Sequence, residues 1–473
     1  MMLFKIAFRN ILRNGRRSLM TASAIAVGAI AMIVFGEYMG FAMVGMETGA
    51  VDGGGHLTVF RKGYFDFGAG NPAAYSISGY KSVIKLIEND PELKPMVNVV
   101  TPAVSLFGIA GNFAIDASKT FMGVGIVRSD HHRMVQWDEY GLYSQLPAGV
   151  RRPPPPPMKD DDETHGVVGI GLARMLGLCA PLKIANCPSP PESTVAPVAG
   201  VPAASSDLTE LAARDRDTSQ PAPVDSEPRI DLLAATAAGA PNVVSLRVVR
   251  AQSQGYKEID DMYVGMNLTL AQQLLYGRGE HKAVSIAIQL HRSEDMARAR
   301  ARLNALFRER GLDLEVHDFT ELSPQYNQIM GFLGAIFTFI AVIIGVIVLF
   351  TIVNTMSMTV MERTNEIGTA RAMGVRRSGI RRQFLIEGWM LGVIGATAGV
   401  ILAMLIAAWF NQLGITYMPP GQANPVPLLL LTQDVWRLQL SVWFGLMLMA
   451  TIAAIIPASR AARMLVVDAL RHV

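Results

Sequence analysis

The chain has 473 residues, 51% of them hydrophobic and 17% charged, with a mean hydropathy of +0.30. These values point to a mixed membrane and soluble protein of two or three domains, not a purely soluble one. A formal net charge of +3 gives no dense basic face for nucleic acid, and two cysteines exclude a disulfide framework.

The chain opens with "MMLFKIAFRNILRNGRRSLM", in which Lys5, Arg9, Arg13, Arg16 and Arg17 alternate with Leu3, Phe4, Ile6, Phe8, Ile11 and Leu12. That pattern predicts an interfacial amphipathic helix over 1–18. The run from Leu19 to Gly45 carries one charge, Glu37. It exceeds the roughly 7–15-residue apolar core of a secretory signal peptide, so 19–45 reads as an uncleaved transmembrane helix. Glu37 falls ~27 Å along such a helix. It is expected near the far interface as a wetted carboxylate, because burying a charge in lipid is costly.

Residues 46–328 contain no run long and apolar enough to span. Strand-like pieces ("HLTVF", "VVSLRVV", "AVSIAIQL") alternate with helical ones ("SVIKLIEND", "DMARARARLNALFRERG"), as in an α+β domain. Within it, "RRPPPPPMKDDDET" predicts a polyproline stretch. Residues 188–241 are rich in Pro, Ala, Ser, Asp and Thr and read as a disordered or loosely held insert, from which 190–238 is expected to be removable without loss of folding or activity. "RSDHHRMVQWDEY" clusters Asp130, His131, His132, Asp138 and Glu139. Its spacing matches no zinc pattern, so it reads as a solvated loop and no metal site is assigned.

From Leu322 to Met361 there is no charged residue. Forty residues of helix would be ~60 Å long, about twice the hydrocarbon thickness. The second transmembrane helix is placed at 329–356, with Pro324 limiting the projecting end. Two more spans follow at 389–410 and 438–458. They are separated by a Pro- and Gly-rich segment at 411–437 and followed by a tail at 459–473. Gly392, Gly395 and Gly399 put small residues on one face of the third span, for close packing within the chain or at a subunit interface. Basic residues concentrate in the N-terminal segment, in the 357–388 loop and in the tail, whereas 411–437 holds only Arg437. The positive-inside bias then places both termini in the cytoplasm and the large domain outside. Outside, Cys179 and Cys187 could form a disulfide closing a short loop that stabilises little.

The loop sequence "ERTNEIGTARAMGVRRSGIRRQFLIEG" resembles the E-R-x-x-E-I-G-x-x-R-A-x-G signature of the FtsX-like permeases. "IPASRAARMLVVDALR" resembles that family's tail, "VVGIGLARMLGLCAPLKI" its G-x-x-L-A-x-x-L-G segment, and "YKEIDDMYVGMNLTLAQQLL" its E-x-D segment. One departure is "CAPLK" where the family has Gly-Asp, which predicts a different local turn. The likeness covers most of the chain except 150–164 and 188–241.

The resemblance implies an ABC transporter permease of the mechanotransmission kind, with four transmembrane helices. A MacB-like α+β periplasmic domain lies between helices 1 and 2, and an FtsX-like permease domain covers about 329–473. It implies a bacterial inner-membrane location and a second permease subunit, as homodimer or heterodimer. It also implies a separate ATPase subunit that supplies ATP hydrolysis, with no cofactor bound by this chain, no catalytic residue and no nucleic acid. A periplasmic adaptor or lipoprotein acceptor fits as a further partner. No G-x-x-x-x-G-K-[ST] loop occurs in the sequence, consistent with that division of labour. The expected function is lipoprotein release or export of a hydrophobic or peptide substrate. The alternative is a regulatory member that activates a partner enzyme outside the membrane. Glu362, Arg363, Glu366, Ile367, Gly368, Arg371 and Gly374 are expected to form a short coupling helix over 362–373 that docks on the ATPase. Ile367, Ala370 and Arg371 lie on its contact face, and Glu387 stands within reach of nearby arginines.

Overall fold

A computed structural model of the chain describes residues 2–68, 70–142, 160, 162–184, 187, 227–277, 279, 281–418, 426–432 and 435–464. The chain divides into two units, Met1–Glu47 with Pro324–Tyr417 and Pro427–Val473, and Thr48–Ser323 with Met418–Val426.

The first unit is helical. It holds α1 (Met2–Arg13) and most of α2 (Gly15–Gly54), then α8 (Pro324–Glu362), α9 (Thr364–Ala372), α10 (Arg377–Gln412), α11 (Trp436–Ala453) and α12 (Ile455–Arg463). Among the described residues, four helices are long and apolar enough to cross a membrane: α2, α8, α10 and the α11–α12 pair. Each runs beyond the bounds expected from hydropathy, because helical hydrogen bonding continues into the polar flanks. Pro324 is the first residue of α8, where its missing N–H is harmless.

Helix α10 is the centre of this unit. Gly388 and Gly392 approach α11 so closely that an added Cβ would meet Ala454 and Ala450 at 2.5 and 2.7 Å. Gly395 and Gly399 face α2, where the same test meets the Ala22 carbonyl at 2.8 Å and the Ala29 side chain at 2.5 Å. The small-residue face of the third span is therefore occupied within the chain. A buried set including Ile25, Ile33, Val348, Ile352, Phe384, Ala396, Leu446 and Ala450 fills the contacts.

Glu37 departs from expectation. It is only 1% exposed, not wetted. Gly36 admits Leu438 and Gly40 admits Leu431, so α11 and the chain before it cover the carboxylate. Gln439 donates to Glu37 Oε1 at 3.4 Å.

The second unit is α/β. In chain order it holds β1 (Leu57–Arg61), α3 (Tyr80–Glu88), β2 (Val97–Asn112), β3 (Ala117–Ile126), α4 (Arg128–Val135), β4 (His165–Gly169), α5 (Ile170–Met175), β5 (Arg229–Ala235), β6 (Pro241–Gln252), β7 (Tyr263–Asn267), α6 (Leu268–Tyr276), β8 (Ser285–Leu290), α7 (Met296–Glu309) and β9 (Leu314–Asp318). Among the described residues these nine strands form one sheet in the order β9-β1-β8-β2-β3-β7-β4-β6-β5, and β5 pairs again with β2. Six strands, β2-β3-β7-β4-β6-β5, thus close into a ring without a free edge.

Strand β2 makes this possible by its length. Val97–Ala103 pairs with β8, and Ile109–Gly111 pairs with β5. At the closure, an added Cβ on Gly108 would collide with the Leu233 carbonyl. Helix α6 lies over the ring and touches β2, β3, β5, β6 and β7. It buries Leu268, Leu270, Ala271, Leu274 and Leu275.

Two sequence readings change here. Residues 229–241 were included in the loose insert, but they hold β5 and the start of β6. Ile230, Leu232 and Ala234 point inward at period two, a signal masked by the surrounding Ala- and Asp-rich composition. Residues 188–226 of the insert lie outside the described residues, as does the polyproline run. The His-rich stretch is not a loop: 128–135 is helical, with Arg133 paired to Asp130 and Gln136 to His132. Cys179 and Cys187 are joined as a disulfide, with Cα atoms 6.1 Å apart.

His56 is fully buried just past the end of α2. The Leu290 N–H donates to its Nδ1 at 3.0 Å, and Trp137 packs edge-on against the ring. With Nδ1 accepting, the proton sits on Nε2, 3.1 Å from Ser293 Oγ. Burial pushes the imidazole down from 6.5 to about 4.

Two outcomes are expected. Because the folded pKa is the lower one, His56 supports folding fully above pH 6.5. Its contribution fades as pH falls toward 4, by up to ~3 kcal/mol. Melting of the detergent-solubilised chain should drop over that window and His56→Gln should flatten the drop; an unchanged drop rules the account out. Deleting Arg229–Ala235 should open the ring and lead to aggregation, visible by size-exclusion chromatography, and a monodisperse product would contradict the closure.

Candidate functional site

The segment linking α8 to α10 is built from three local events. Helix α8 ends at Glu362, and Arg363 leaves helical geometry at φ −103, ψ 19. Helix α9 then runs Thr364–Ala372, started with the Thr364 hydroxyl donating to the Met361 carbonyl at 2.7 Å. Gly374, at φ +94, stops it in a conformation that side-chain-bearing residues disfavour. Arg376 is extended and hands the chain to α10.

At the turn between α8 and α9 lies a charge network. Arg363 and Glu387 are both nearly buried, with side chains 9% and 4% exposed. The Arg363 Nη1 donates to both Glu387 oxygens at 3.0 and 3.3 Å, and its Nε donates to Glu366 Oε2 at 3.0 Å. The guanidinium also lies over the Phe384 ring, 5.5 Å from its centroid. Asn10 of α1 donates to Glu387 Oε1 at 2.6 Å, and Gln383 adds a longer bond at 3.4 Å. Two further ion pairs tie the N-terminal segment to this turn, Arg13 to Glu366 and Arg17 to Glu362. Burial works against the charge on Arg363, but the carboxylates of Glu387 and Glu366 more than offset it and raise its pKa. Partial burial alone would push Glu366 up. Hydrogen bonds from Arg363 and Arg13 prevail and hold it below the usual carboxylate range.

The residues expected to form one docking face are therefore divided. Ile367 is 4% exposed and Gly368 is buried, so both face the helical core, where Ile367 joins the cluster around Phe384. That corrects the expected contact face: the helix is pinned by Arg363, so Ile367 turns inward with it. Arg371 is half-buried. Glu362 and Glu366 are partly exposed but paired to arginines of the N-terminal segment. The outward surface of the turn consists of Asn365, Glu366, Thr369, Ala372, Met373, Gly374 and Val375. Met373 is 77% exposed.

Sequence reasoning missed Met373 and Val375, and it missed Asn10, Arg13 and Arg17 as partners of the turn. A signal existed: Arg13 and Arg17 share the i,i+4 spacing of Glu362 and Glu366. Gly392, Gly395 and Gly399 lie away from this site, packed on α11 and α2. Among the described residues, no group of three or more His, Cys, Asp or Glu is arranged to hold a metal ion.

The FtsX-like permease C-terminal family matches residues 338–466, which contain α9, α10 and most of α8. The macrolide export ATP-binding/permease protein MacB of Bordetella avium is 28% identical over 165 residues, 35% of this chain and 25% of that protein. The pyoverdine export ATP-binding/permease protein PvdT of Pseudomonas savastanoi pv. phaseolicola is 39% identical over 121 residues, 25% of this chain and 16% of that protein. An uncharacterized ABC transporter permease of Methanocaldococcus jannaschii is 24% identical over 228 residues, 48% of this chain and 54% of that protein. The chain thus spans a quarter or less of the length of the first two relatives. It contains an FtsX-like permease domain and is homologous to the MacB and PvdT permeases.

Removing one partner of the buried pair should be far worse than removing an outer one. Arg363→Ala leaves Glu387 short of its cation and should cost about 3–5 kcal/mol. Arg363→Met with Glu387→Met should recover much of that loss. Arg13→Ala, which breaks an exposed pair, should cost under about 1 kcal/mol. Thermal unfolding in detergent separates these. Equal losses for Arg363→Ala and Arg13→Ala would contradict the ranking.

Proposed function

We propose that this chain is the permease subunit of an ABC transporter whose ATP hydrolysis comes from a separate ATPase subunit docking on α9. One observation carries this reading. Arg363, at the end of α8, holds Glu366 of α9 and Glu387 of α10, and Ile367 and Gly368 face inward, while α9 presents Glu366 and Thr369 outward and the turn after it presents Met373 and Val375. A rigid helix with a mixed acidic and apolar outer face can seat in a partner's groove and pass force to the helices that hold it. Homology to export permeases supports the same assignment.

In this reading the protein lies in the inner membrane as a multi-pass protein. Basic residues at both ends of the helical unit and in the 357–388 loop put the termini and α9 in the cytoplasm. The α/β unit then lies outside and is moved through α2 and α8. Two permease subunits pair, as homodimer or heterodimer, and this chain binds no nucleotide itself. The cargo is a hydrophobic or peptide substrate or a lipoprotein, handed on to a periplasmic adaptor or acceptor.

The test is pull-down of the tagged full chain from its native membranes, with ATP hydrolysis measured in the eluate. Glu366→Lys and Met373→Asp should each abolish the co-purifying activity while membrane insertion stays intact. Arg13→Ala, which breaks only a contact inside the chain, should retain it. Undiminished activity with Glu366→Lys and Met373→Asp would remove α9 as the docking element.

A further inference from the structure

Helix α1 carries three stripes. Ala7 is fully buried, and Asn10 and Ile11 are half-buried, on the side that meets α10. Phe4, Phe8 and Leu12, at i, i+4 and i+8, form a second stripe and are 47%, 50% and 64% exposed. Lys5, Arg9 and Arg13 each follow one of them by a single residue, ~100° farther round the helix, and are exposed as well.

The cations differ in what they meet. Arg13 is paired with Glu366, as described above. Among the described residues Lys5, Arg9 and the exposed Arg16 at the start of α2 form no ion pair and no side-chain hydrogen bond. Three unneutralised cations therefore lie beside three large apolar side chains that nothing in the chain covers. Phe4 also fixes the level of the helix. Its ring stands edge-on to Trp389, with centroids 6.0 Å apart, where α10 passes from its arginines to its apolar run. Tryptophan at such a boundary sits among lipid headgroups.

We propose that α1 is a docking surface for anionic phospholipid. Phe4, Phe8 and Leu12 enter the acyl layer, and Lys5, Arg9 and Arg16 donate to headgroup phosphate oxygens. Charge complementarity selects the anionic headgroup: a zwitterionic lipid neutralises its phosphate with its own ammonium, whereas these three cations carry no counter-charge. A protein partner fits less well. The apolar stripe is eight residues, or ~12 Å, long and one side chain wide, far short of the ~800 Å² that a stable interface takes from each partner. The inward side of the same helix holds Glu387 through Asn10 and reaches Glu366 through Arg13. Lipid bound along α1 thus braces α9 at its attachment to the helical unit. The proposal goes beyond the permease reading and rests only on its placement of the helical unit in a membrane.

The experiment uses the full chain in vesicles of phosphatidylcholine mixed with phosphatidylglycerol, one of the two lipids being brominated. Its two native cysteines are joined, so Phe8→Cys carries a single bimane label. Leu405→Cys, on the exposed surface of α10, carries the same label as a control. Brominated phosphatidylglycerol should quench the label at Phe8→Cys more strongly than brominated phosphatidylcholine at equal mole fraction, and both should quench Leu405→Cys alike. Removing one cation should cut the preference about fivefold. Lys5→Gln, Arg9→Gln and Arg16→Gln together should abolish it, while Arg13→Ala, whose cation is already paired, should keep it. Excess glycerol phosphate should not displace the lipid. Equal quenching of Phe8→Cys by both lipids means apolar insertion only, and no quenching by either means that something other than lipid covers α1. Either result overturns the proposal, as does a preference that survives the triple substitution or yields to glycerol phosphate. If Leu405→Cys is quenched and Phe8→Cys is not, the docking surface alone is wrong. If neither is quenched, the membrane placement falls with it.

Discussion

The Arg363–Glu387 pair is the constraint on which the helical unit depends. Between Leu322 and Met361 the sequence offers no charge with which to orient a 39-residue helix. Apolar contacts alone leave such a helix free to slide and rotate, because lipid tails solvate it as well as neighbouring side chains do. A buried guanidinium at its end removes that freedom. It must meet its carboxylates or lose several kcal/mol, and Glu387 fixes where it meets them. The position of α8 relative to α10, and the direction in which α9 leaves, follow from this one pair.

The glycines of α10 make the second half of the arrangement possible. Glu387 lies one residue before Gly388, and the glycines that follow draw α11 and α2 against the helix. A larger residue at Gly392 would push out α11, and one at Gly399 would push out α2. The pair sets register at one end of α10, and the small residues set how closely α11 and α2 approach it farther along. The α/β unit reaches rigidity by a different route. Its ring has no free edge, so closure specifies the sheet together with the α6 helix that covers it.

How much of this was legible in the sequence depends on the range of each interaction. The long apolar helices could be read because their signal is local and sustained. The loop signature was legible by resemblance, and Gly374 as a helix stop by its chemistry. Closure of the ring was not, because Ile109 and Leu233 pair from distant parts of the sequence and nothing local marks the match. Strand β5 was hidden by the composition around it, although its alternation is plain once isolated. Glu37 was misread for a similar reason: its burial is set by the glycines beside it and by the helix they admit. Ile367 and Gly368 carry the family signature, but which way they face is decided by Arg363, four residues before Ile367 on the adjoining turn.

The N-terminal segment gains a second role from the same geometry. Its arginines read as topology signals and as partners for lipid headgroups, and three of its side chains reach the turn instead. Arg13 and Arg17 are spaced i,i+4, and so are Glu362 and Glu366. Two like-charged glutamates one turn apart repel each other mildly in an isolated helix. Set against two arginines of the same spacing they become a ladder in which each repulsion is relieved by an opposite charge. The pairing accounts for why a loop that needs only basic residues to stay on one side of a membrane also carries these acids. It also means that a partner touching Glu366 touches a residue already shared between Arg13 and Arg363. A displacement of α9 is then felt at α1 through Arg13 and at α10 through Arg363 and Glu387.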